Sequence, residues 1–270
     1  MCSYDKYELA EKQLKSFTRS KIRTKVLLCL KDADKNVGEL EQEIGSRNTT
    51  ILHAIKDMSE ADLITRSSKG YHLTNLGQMQ AYLLNDLMGF AQVLEEHRDF
   101  WLNHDISGIP QDLLTNIGML AQSEIISPDS SAPLKSQEHF VSELVKANEI
   151  HGVSPIIAPG YAEAIAIPVK NGATVELILT EAVLKIVNKE HNKIVDDLLA
   201  YDNFKLYRIN EDVKVAFTVT DVLLALGLRY RLDGNYDLGS DLICYGGGAV
   251  MWGLKLFKYY QNNSEMITKL

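Results

Sequence analysis

Asn36-Val37-Gly38-Glu39-Leu40-Glu41-Gln42-Glu43-Ile44-Gly45-Ser46-Arg47-Asn48-Thr49-Thr50-Ile51-Leu52-His53-Ala54-Ile55-Lys56-Asp57-Met58 reads as two helices joined by a tight turn. Val37, Leu40 and Ile44 recur at helical spacing. Asn36, with Glu39 three residues on, makes a variant capping box in which each side chain satisfies a free backbone N–H of the first turn. Gly45 ends this helix as a left-handed C-cap. In the second helix Ile51, Ile55 and Met58 stand at i, i+4 and i+7 and must face inward. Packing then rotates Asn48, Thr49, Leu52, His53 and Lys56 outward, with Ser46, Arg47 and Thr50 around the helix entrance. Asn pairs bidentately with adenine, Thr and Leu touch a thymine methyl, and Lys reaches phosphate or guanine. One good bidentate contact discriminates between bases by about 1–3 kcal/mol, so a few such side chains suffice for a half-site. This outward face is the candidate DNA-reading surface.

Upstream, Ser20 is placed to cap a helix over residues 20–31, with Ile22, Val26, Leu27 and Leu30 on its buried face. Downstream, residues 63–66 and 71–74 read as two short strands joined by Ser67-Ser68-Lys69-Gly70, the glycine supplying the positive φ of a tight hairpin. Arg66 and Lys69 at its tip are placed to touch phosphate or enter a minor groove. Helix, turn, helix and hairpin at this spacing form a winged helix-turn-helix, and the span resembles the ArsR-like prokaryotic regulators. The resemblance rests on Glu39-Leu40, Ile44-Gly45, Thr50-Ile51, Ile55-Lys56-Asp57-Met58, Ala61-Asp62-Leu63-Ile64 and Leu73-Thr74-Asn75-Leu76-Gly77. Asp62 stands where that family usually has Gly. No Cys pair lies in these helices, so the metal sensing of some members is not implied here, and neither a metal nor a cofactor is expected.

The chain has 270 residues, 46% hydrophobic and 24% charged, the composition of an ordinary globular protein with room for two domains. Its net charge of -8 is unevenly spread: residues 1–74 hold 13 Lys+Arg and 11 Asp+Glu, residues 75–270 hold 15 and 25. Only the N-terminal part favours phosphate, whose binding is driven by cations that release counterions. Cys2, Cys29 and Cys244 are odd in number and far apart, which suggests neither a disulfide framework nor a thiolate metal site. The start of the chain has no apolar leader and no stretch approaches the ~18 apolar residues of a membrane span, so a cytoplasmic protein without a membrane partner is expected. The expected division is a DNA-binding head over 1–74, a connecting helix over 75–105 and an α/β body over 106–270.

Thr74 can cap a long helix reaching about residue 103. Leu76, Leu83, Leu87, Phe90, Leu94, His97 and Trp101 are spaced by seven and then by alternating fours and threes, a coiled-coil-like seam. A head of this size covers one half-site, and such readers act as two-fold dimers on paired half-sites. A homodimer held partly through Leu76, Leu83, Leu87, Phe90, Leu94 and Trp101 is expected, on a double-stranded operator.

In the body an amphipathic helix is expected beyond Pro110, within 107–120, and Pro128-Asp129-Ser130-Ser131-Ala132-Pro133 is the clearest loop. Helices over 136–148, 161–171, 181–200 and 249–261 alternate with apolar strands over 152–158, 174–180, 204–209 and 241–245. Residues 213–219 and 222–227 add a hairpin turning at Thr220-Asp221. The pattern is that of an α/β domain with its sheet covered by helices. This half is similar to the methanogenesis regulatory protein middle domain of archaeal winged-helix regulators. The similarity lies in Ile150-His151-Gly152-Val153-Ser154-Pro155, Val175-Glu176-Leu177-Ile178-Leu179-Thr180-Glu181, Asn203-Phe204-Lys205-Leu206-Tyr207 and Val219-Thr220-Asp221-Val222-Leu223-Leu224-Ala225-Leu226-Gly227-Leu228. Tyr236-Asp237, Asp241-Leu242-Ile243, Trp252-Gly253 and Leu256-Phe257 continue it. It implies transcription control tied to methanogen metabolism.

The same half also resembles a phospholipase-D-type unit, whose chemistry needs H-x-K-x-x-x-x-D. With Asp221 as the last element, Lys214 stands in the His position and Ala216 in the Lys position. An ammonium is no nucleophile and Ala no phosphate clamp, so a degenerate, non-catalytic body is expected rather than a phosphodiesterase. A protein-interaction module that never touches DNA is the third reading. An effector would bind in the crevice beyond the carboxyl ends of the strands, with Ser154, Tyr161, Thr180, Thr218, Thr220 and Asp221 as candidates.

Overall fold

The computed structural model describes residues 2–126, 135–157 and 160–269. The expected loop from Pro128 to Pro133, and Ala158 at the end of one expected strand, lie outside the described residues. The chain divides into two compact units, Met1–Met88 and Gly89–Leu270.

The first unit contains α1 (Ser3–Thr18), α2 (Lys21–Cys29), α3 (Val37–Ile44), α4 (Asn48–Glu60), β1 (Ile64–Ser67) and β2 (Gly70–Leu73), followed by the start of α5 (Asn75–Glu96). The capping signals do what their chemistry dictates. Ser20 accepts from the Arg23 N–H, Asn36 and Glu39 form the reciprocal box, and Gly45 takes φ 68°, ψ 40°. Val26, Leu27, Leu40, Ile44, Ile51, Ile55 and Met58 close one core between α2, α3 and α4, joined by Ile64 from β1 and Ala81 and Leu84 from α5. β1 and β2 pair antiparallel from Ile64↔Leu73 to Ser67↔Gly70, which leaves Ser68 and Lys69 as the two-residue turn.

Asp62 has φ 57°, the left-handed region. Asp tolerates that region better than most side chains, so the turn forms here without glycine. Thr74 Oγ1 donates to the Asp62 carbonyl at 2.6 Å and accepts from the Gly77 N–H at 3.1 Å, fastening the start of α5 to the turn after α4. Gly77 is required by close approach: a Cβ there would lie 2.0 Å from the Leu63 carbonyl oxygen. Helix α1 has no counterpart among the sequence expectations. Among its residues whose side chains are described none is buried, and Tyr4, Leu9 and Leu14 are exposed.

The second unit is built on an eight-stranded mixed sheet in the order β10-β6-β5-β4-β7-β8-β9-β3. These strands are β3 (Ser123–Ile126), β4 (Glu149–Ser154), β5 (Thr174–Thr180), β6 (Phe204–Ile209), β7 (Val215–Thr220), β8 (Leu223–Leu228), β9 (Asp241–Tyr245) and β10 (Glu265–Ile267). β4, β5 and β6 run parallel; every other neighbouring pair is antiparallel. Alternate side chains feed two cores. Val175, Leu177 and Leu179 of β5 pack with residues of α8 (Lys135–Lys146), α9 (Tyr161–Lys170), α10 (Glu181–Glu190) and α11 (Asn192–Leu199). Ile178, Val219 and Leu224 pack on the other face with Phe100 of α6 (Arg98–Asn103), Leu113 of α7 (Gln111–Thr115), and Trp252 and Leu256 of α12 (Gly247–Gln261). Trp252 is fully buried, and its indole N–H donates to the Leu113 carbonyl at 3.0 Å.

Helices on both faces of a mixed sheet agree with the expected architecture, with local corrections. The connecting helix does not run to residue 103: it stops at Glu96, and His97 at φ -117°, ψ 32° separates it from α6. The helix expected over 181–200 breaks at His191 into α10 and α11. The one expected within 107–120 is a five-residue α7 followed by a 3-10 turn, Ile117–Leu120. β4 begins three residues before its expected start, at Glu149, because its N-terminal half pairs with both β5 and β7. The edge strands β3 and β10 have no counterpart in the sequence expectations at all.

Candidate nucleic-acid interface

The inner face of α4 is fixed in the head core by Ile51, Ala54, Ile55 and Met58. The other face is open to solvent: Arg47, Asn48, Thr49, Thr50, Leu52, His53 and Lys56 are exposed and Ser46 is half-buried. Leu52 keeps 44% of its surface exposed although it is apolar; packing does not explain its place, and contact with a thymine methyl would. Lys56 stands 3.9 Å from Glu60, one turn on, with both side chains largely exposed, so this pair holds the lysine only weakly. Asn48 is engaged differently: its backbone N–H and its side-chain amide donate to the Glu41 carboxylate of α3, at 3.2 and 3.4 Å. No sequence signal announces that bond, because it joins two helices across the turn.

An open groove of about 820 Å³ runs between α4 and the hairpin, lined by Leu52, Lys56, Ser59, Thr65, Arg66 and Tyr71 among others. Arg66 lies over the Tyr71 ring directly across the hairpin, 5.8 Å from its centroid, which steadies a guanidinium otherwise free in water. Lys69 is exposed in the turn. The groove thus carries Lys56 on one wall and Arg66 on the other. Ser59, Thr65 and Tyr71 carry no signal in the sequence; the hairpin register brings Tyr71 to Arg66.

The other candidates sort themselves by unit. On α5, Leu76, Leu83 and Leu87 of the first unit and Phe90 and Leu94 of the second are all exposed. Trp101 does not continue that series: on α6 it is half-buried against the sheet core, and its indole N–H donates to the Val93 carbonyl at 3.1 Å. His97 meets Ser123, while buried His104 lies 3.2 Å from Asp237.

Within the body, the six candidate effector residues do not converge. β4 and β7 are antiparallel, with Ile150 opposite Thr220 and Val153 opposite Phe217. Thr220 and Asp221 therefore lie at the amino end of β4, away from Ser154 at its carboxyl end. There Thr220 accepts from the Val222 and Leu223 N–H groups. Burial pushes the Asp221 carboxyl up, but the Asn148 side-chain amide and backbone N–H more than offset this and hold it below the usual range. Thr180 caps α10 through the Val183 N–H. At the carboxyl end, Ser154 and Tyr161 line an apolar cavity of about 50 Å³ with Leu177, Leu179, Val183 and Leu206. The Tyr161 hydroxyl sits 3.1 Å from the Thr218 hydroxyl, and burial raises its pKa. Lys214, in the position of the missing nucleophile, bonds to Ser107 and pairs with Asp105 at 3.3 Å.

Residues 11–92 match the family described as the N-terminal domain of methanogenesis regulatory protein FilR1, and residues 133–263 match that protein's middle domain. Methanogenesis regulatory protein FilR1 of Methanothrix harundinacea (strain 6Ac) is 40% identical over 258 residues, which are 94% of this chain and 58% of that relative. The chain therefore spans less than two thirds of the relative's length. Two of the distantly similar solved structures are these. One is the archaeal chromatin protein TrmBL2, at 13% identity and a TM-score of 0.43 over 97% of this chain and all of that one. The other is Nuc, a phospholipase D family member from Salmonella typhimurium, at 11% identity and a TM-score of 0.37 over 54% of this chain and 97% of that one. With a winged head and a mixed-sheet body each matched by its own domain, this chain belongs to the FilR1 family of methanogenesis regulatory proteins.

Proposed function

We propose that this chain is the DNA-reading and regulatory part of a transcription regulator that binds a double-stranded operator in the cytoplasm as a homodimer. The observation that carries this reading is the division of α4: its aliphatic side is sealed in the head core, and Arg47, Asn48, Thr49, Leu52, His53 and Lys56 are left for the duplex. Ser46 and Thr50 border that face, and Arg66 and Lys69 supply the phosphate contacts of the hairpin. The exposed α5 leucines, Leu83 with 60% of its surface open, support self-association through this helix. Of the effector candidates, Ser154, Tyr161 and Thr218 stay together at the carboxyl end of β4, where the apolar cavity of about 50 Å³ would have to widen to take a ligand of ordinary size; Thr180, Thr220 and Asp221 are occupied in ending their own elements and fit that role less well. Transcription control in methanogen metabolism is the family's theme and is extended to this chain on the same grounds.

The test is duplex binding by the full chain to the region upstream of its own gene, across a salt series. Arg47→Ala with Lys56→Ala should weaken binding and flatten its salt dependence. Equal binding by the double variant would remove α4 from the interface. For the dimer, Leu83→Glu should lower the sedimenting mass at micromolar concentration; a wild-type chain already monomeric there would end the dimer reading.

A further inference from the structure

The positive charge of the head does not reside on its helix-turn-helix. Residues 12–25 contain Lys12, Lys15, Arg19, Lys21, Arg23 and Lys25 and no acid, whereas residues 26–74 hold six Lys+Arg against eight Asp+Glu. The part that holds α3, α4 and the hairpin is thus slightly acidic, and the excess of cations lies at the corner where α1 passes into α2. Lys12, Lys15 and Arg19 stand at i, i+3 and i+7, one face of α1, and all three are exposed. Lys15 pairs with Glu11 at 2.6 Å, and Lys25 donates to the Ile44 carbonyl. Among the described residues no ion pair holds Lys12, Arg19, Lys21 or Arg23.

Helix electrostatics account for only half of this cluster. Basic groups near the end of α1 face a negative helix terminus and are favourable there. Lys21 and Arg23 open α2 instead, whose first turn has no acid, and cations at a helix start oppose its dipole. A run of basic side chains kept where it burdens its own helix points to an external anion. Duplex DNA presents one negative charge per ~1.7 Å of its axis, and the stripe from Lys12 to Arg19 extends roughly 10 Å.

We infer that the α1–α2 corner is a second duplex-binding surface, in which Lys12, Arg19 and Lys21 bind phosphates without reading sequence. The inference rests on the operator-binding reading. It adds sequence-independent affinity from the corner to the phosphate contacts of α4 and the hairpin, and leaves base discrimination to α4.

The experiment compares the full wild-type chain with a variant carrying Lys12→Gln, Arg19→Gln and Lys21→Gln. Binding to the upstream duplex and to a scrambled duplex of equal length is measured across a salt series. The slope of log K against log salt should fall by about 0.9 for each phosphate that is no longer neutralised, roughly 2.7 per head. Affinity for both duplexes should drop by the same factor, leaving their ratio intact. A charge-preserving variant (Lys12→Arg, Arg19→Lys, Lys21→Arg) should keep the wild-type slope, which separates charge from folding. An unchanged slope in the glutamine variant, while Arg47→Ala with Lys56→Ala loses discrimination, overturns the corner and leaves the reading helix standing. A wild-type chain that binds neither duplex overturns both. Binding to vesicles of anionic lipid that disappears in the glutamine variant, with DNA binding unaltered, assigns the corner to a lipid surface and likewise overturns the inference.

Discussion

The head and the body use polar side chains in opposite ways. On α4 the small polar and basic residues project away from a core that needs nothing from them. In the body, residues of the same kinds at strand ends are engaged by their own fold: Thr180 caps α10, Thr220 closes the β7–β8 turn, and Asp221 holds Asn148. The difference follows from geometry. A helix packed on one side leaves most of its opposite face without structural work, so apart from Asn48, which Glu41 holds, the polar residues there are open to a partner. A strand end inside a covered sheet leaves unpaired N–H groups, and nearby Thr and Asp side chains are drawn to them. Polar character at a strand end is therefore weaker evidence for a ligand than polar character on a helix face.

The contrast can be broken most forcefully at the head core. Ile51→Ala removes a fully buried side chain and should cost the head about 2–5 kcal/mol. Duplex binding should disappear while the body's circular dichroism persists; retained operator binding would mean the head does not depend on that packing. In the body, Thr220→Val leaves the buried Leu223 N–H without its side-chain acceptor and should cost about 1–3 kcal/mol with duplex affinity unchanged. A shift in duplex affinity without a drop in body stability would assign Thr220 to function instead. On the α4 face, Arg47→Ala and Lys56→Ala should each change stability by less than about 0.5 kcal/mol, both side chains being exposed. A larger destabilisation on thermal melting would make that face structural.

The smallest effect concerns Cys29. Burial, reinforced by the Glu43 carboxylate, raises its thiol from 9.0 to about 11. An unfolded thiol ionises first, so the stabilisation is complete below pH 9 and is lost as pH rises towards 11. Cys29→Ala should remove that decline, and iodoacetamide at about pH 8, below the ordinary thiol range, should label half-buried Cys29 more slowly in the folded head than in the unfolded chain. Rapid labelling of the folded head would contradict its protonated, sheltered state.

What can be read before folding is local. Ser20, Asn36 with Glu39, and Gly45 act within one turn of their own position, and all three cap as the sequence indicates. The apolar runs 174–180, 204–209 and 241–245 match β5, β6 and β9 to the residue. What escapes depends on distant partners. β3 pairs with β9 from the far side of the body sequence, and β10 pairs with β6 from near the chain's end; neither short strand has an apolar run of its own to betray it. The breaks at His97 and His191 leave helical spacing on both sides undisturbed, so periodicity passes over them. Within the interface, exposure of the α4 face is legible from Ile51, Ile55 and Met58. The tether from Asn48 to Glu41 is not, because spacing says nothing about which hydrogen bonds a free polar group will make.

That tether has a consequence for selectivity. In the unbound head the Asn48 amide already has a carboxylate to satisfy it, so pairing with a base edge is an exchange of acceptors and not a simple gain. On the operator-binding reading, a cognate base would repay the exchange with two good hydrogen bonds, whereas a non-cognate base would leave the amide satisfied by Glu41. The tether therefore sets the gain from the right sequence as the difference between two acceptors and spares the wrong one the cost of an unpaired amide.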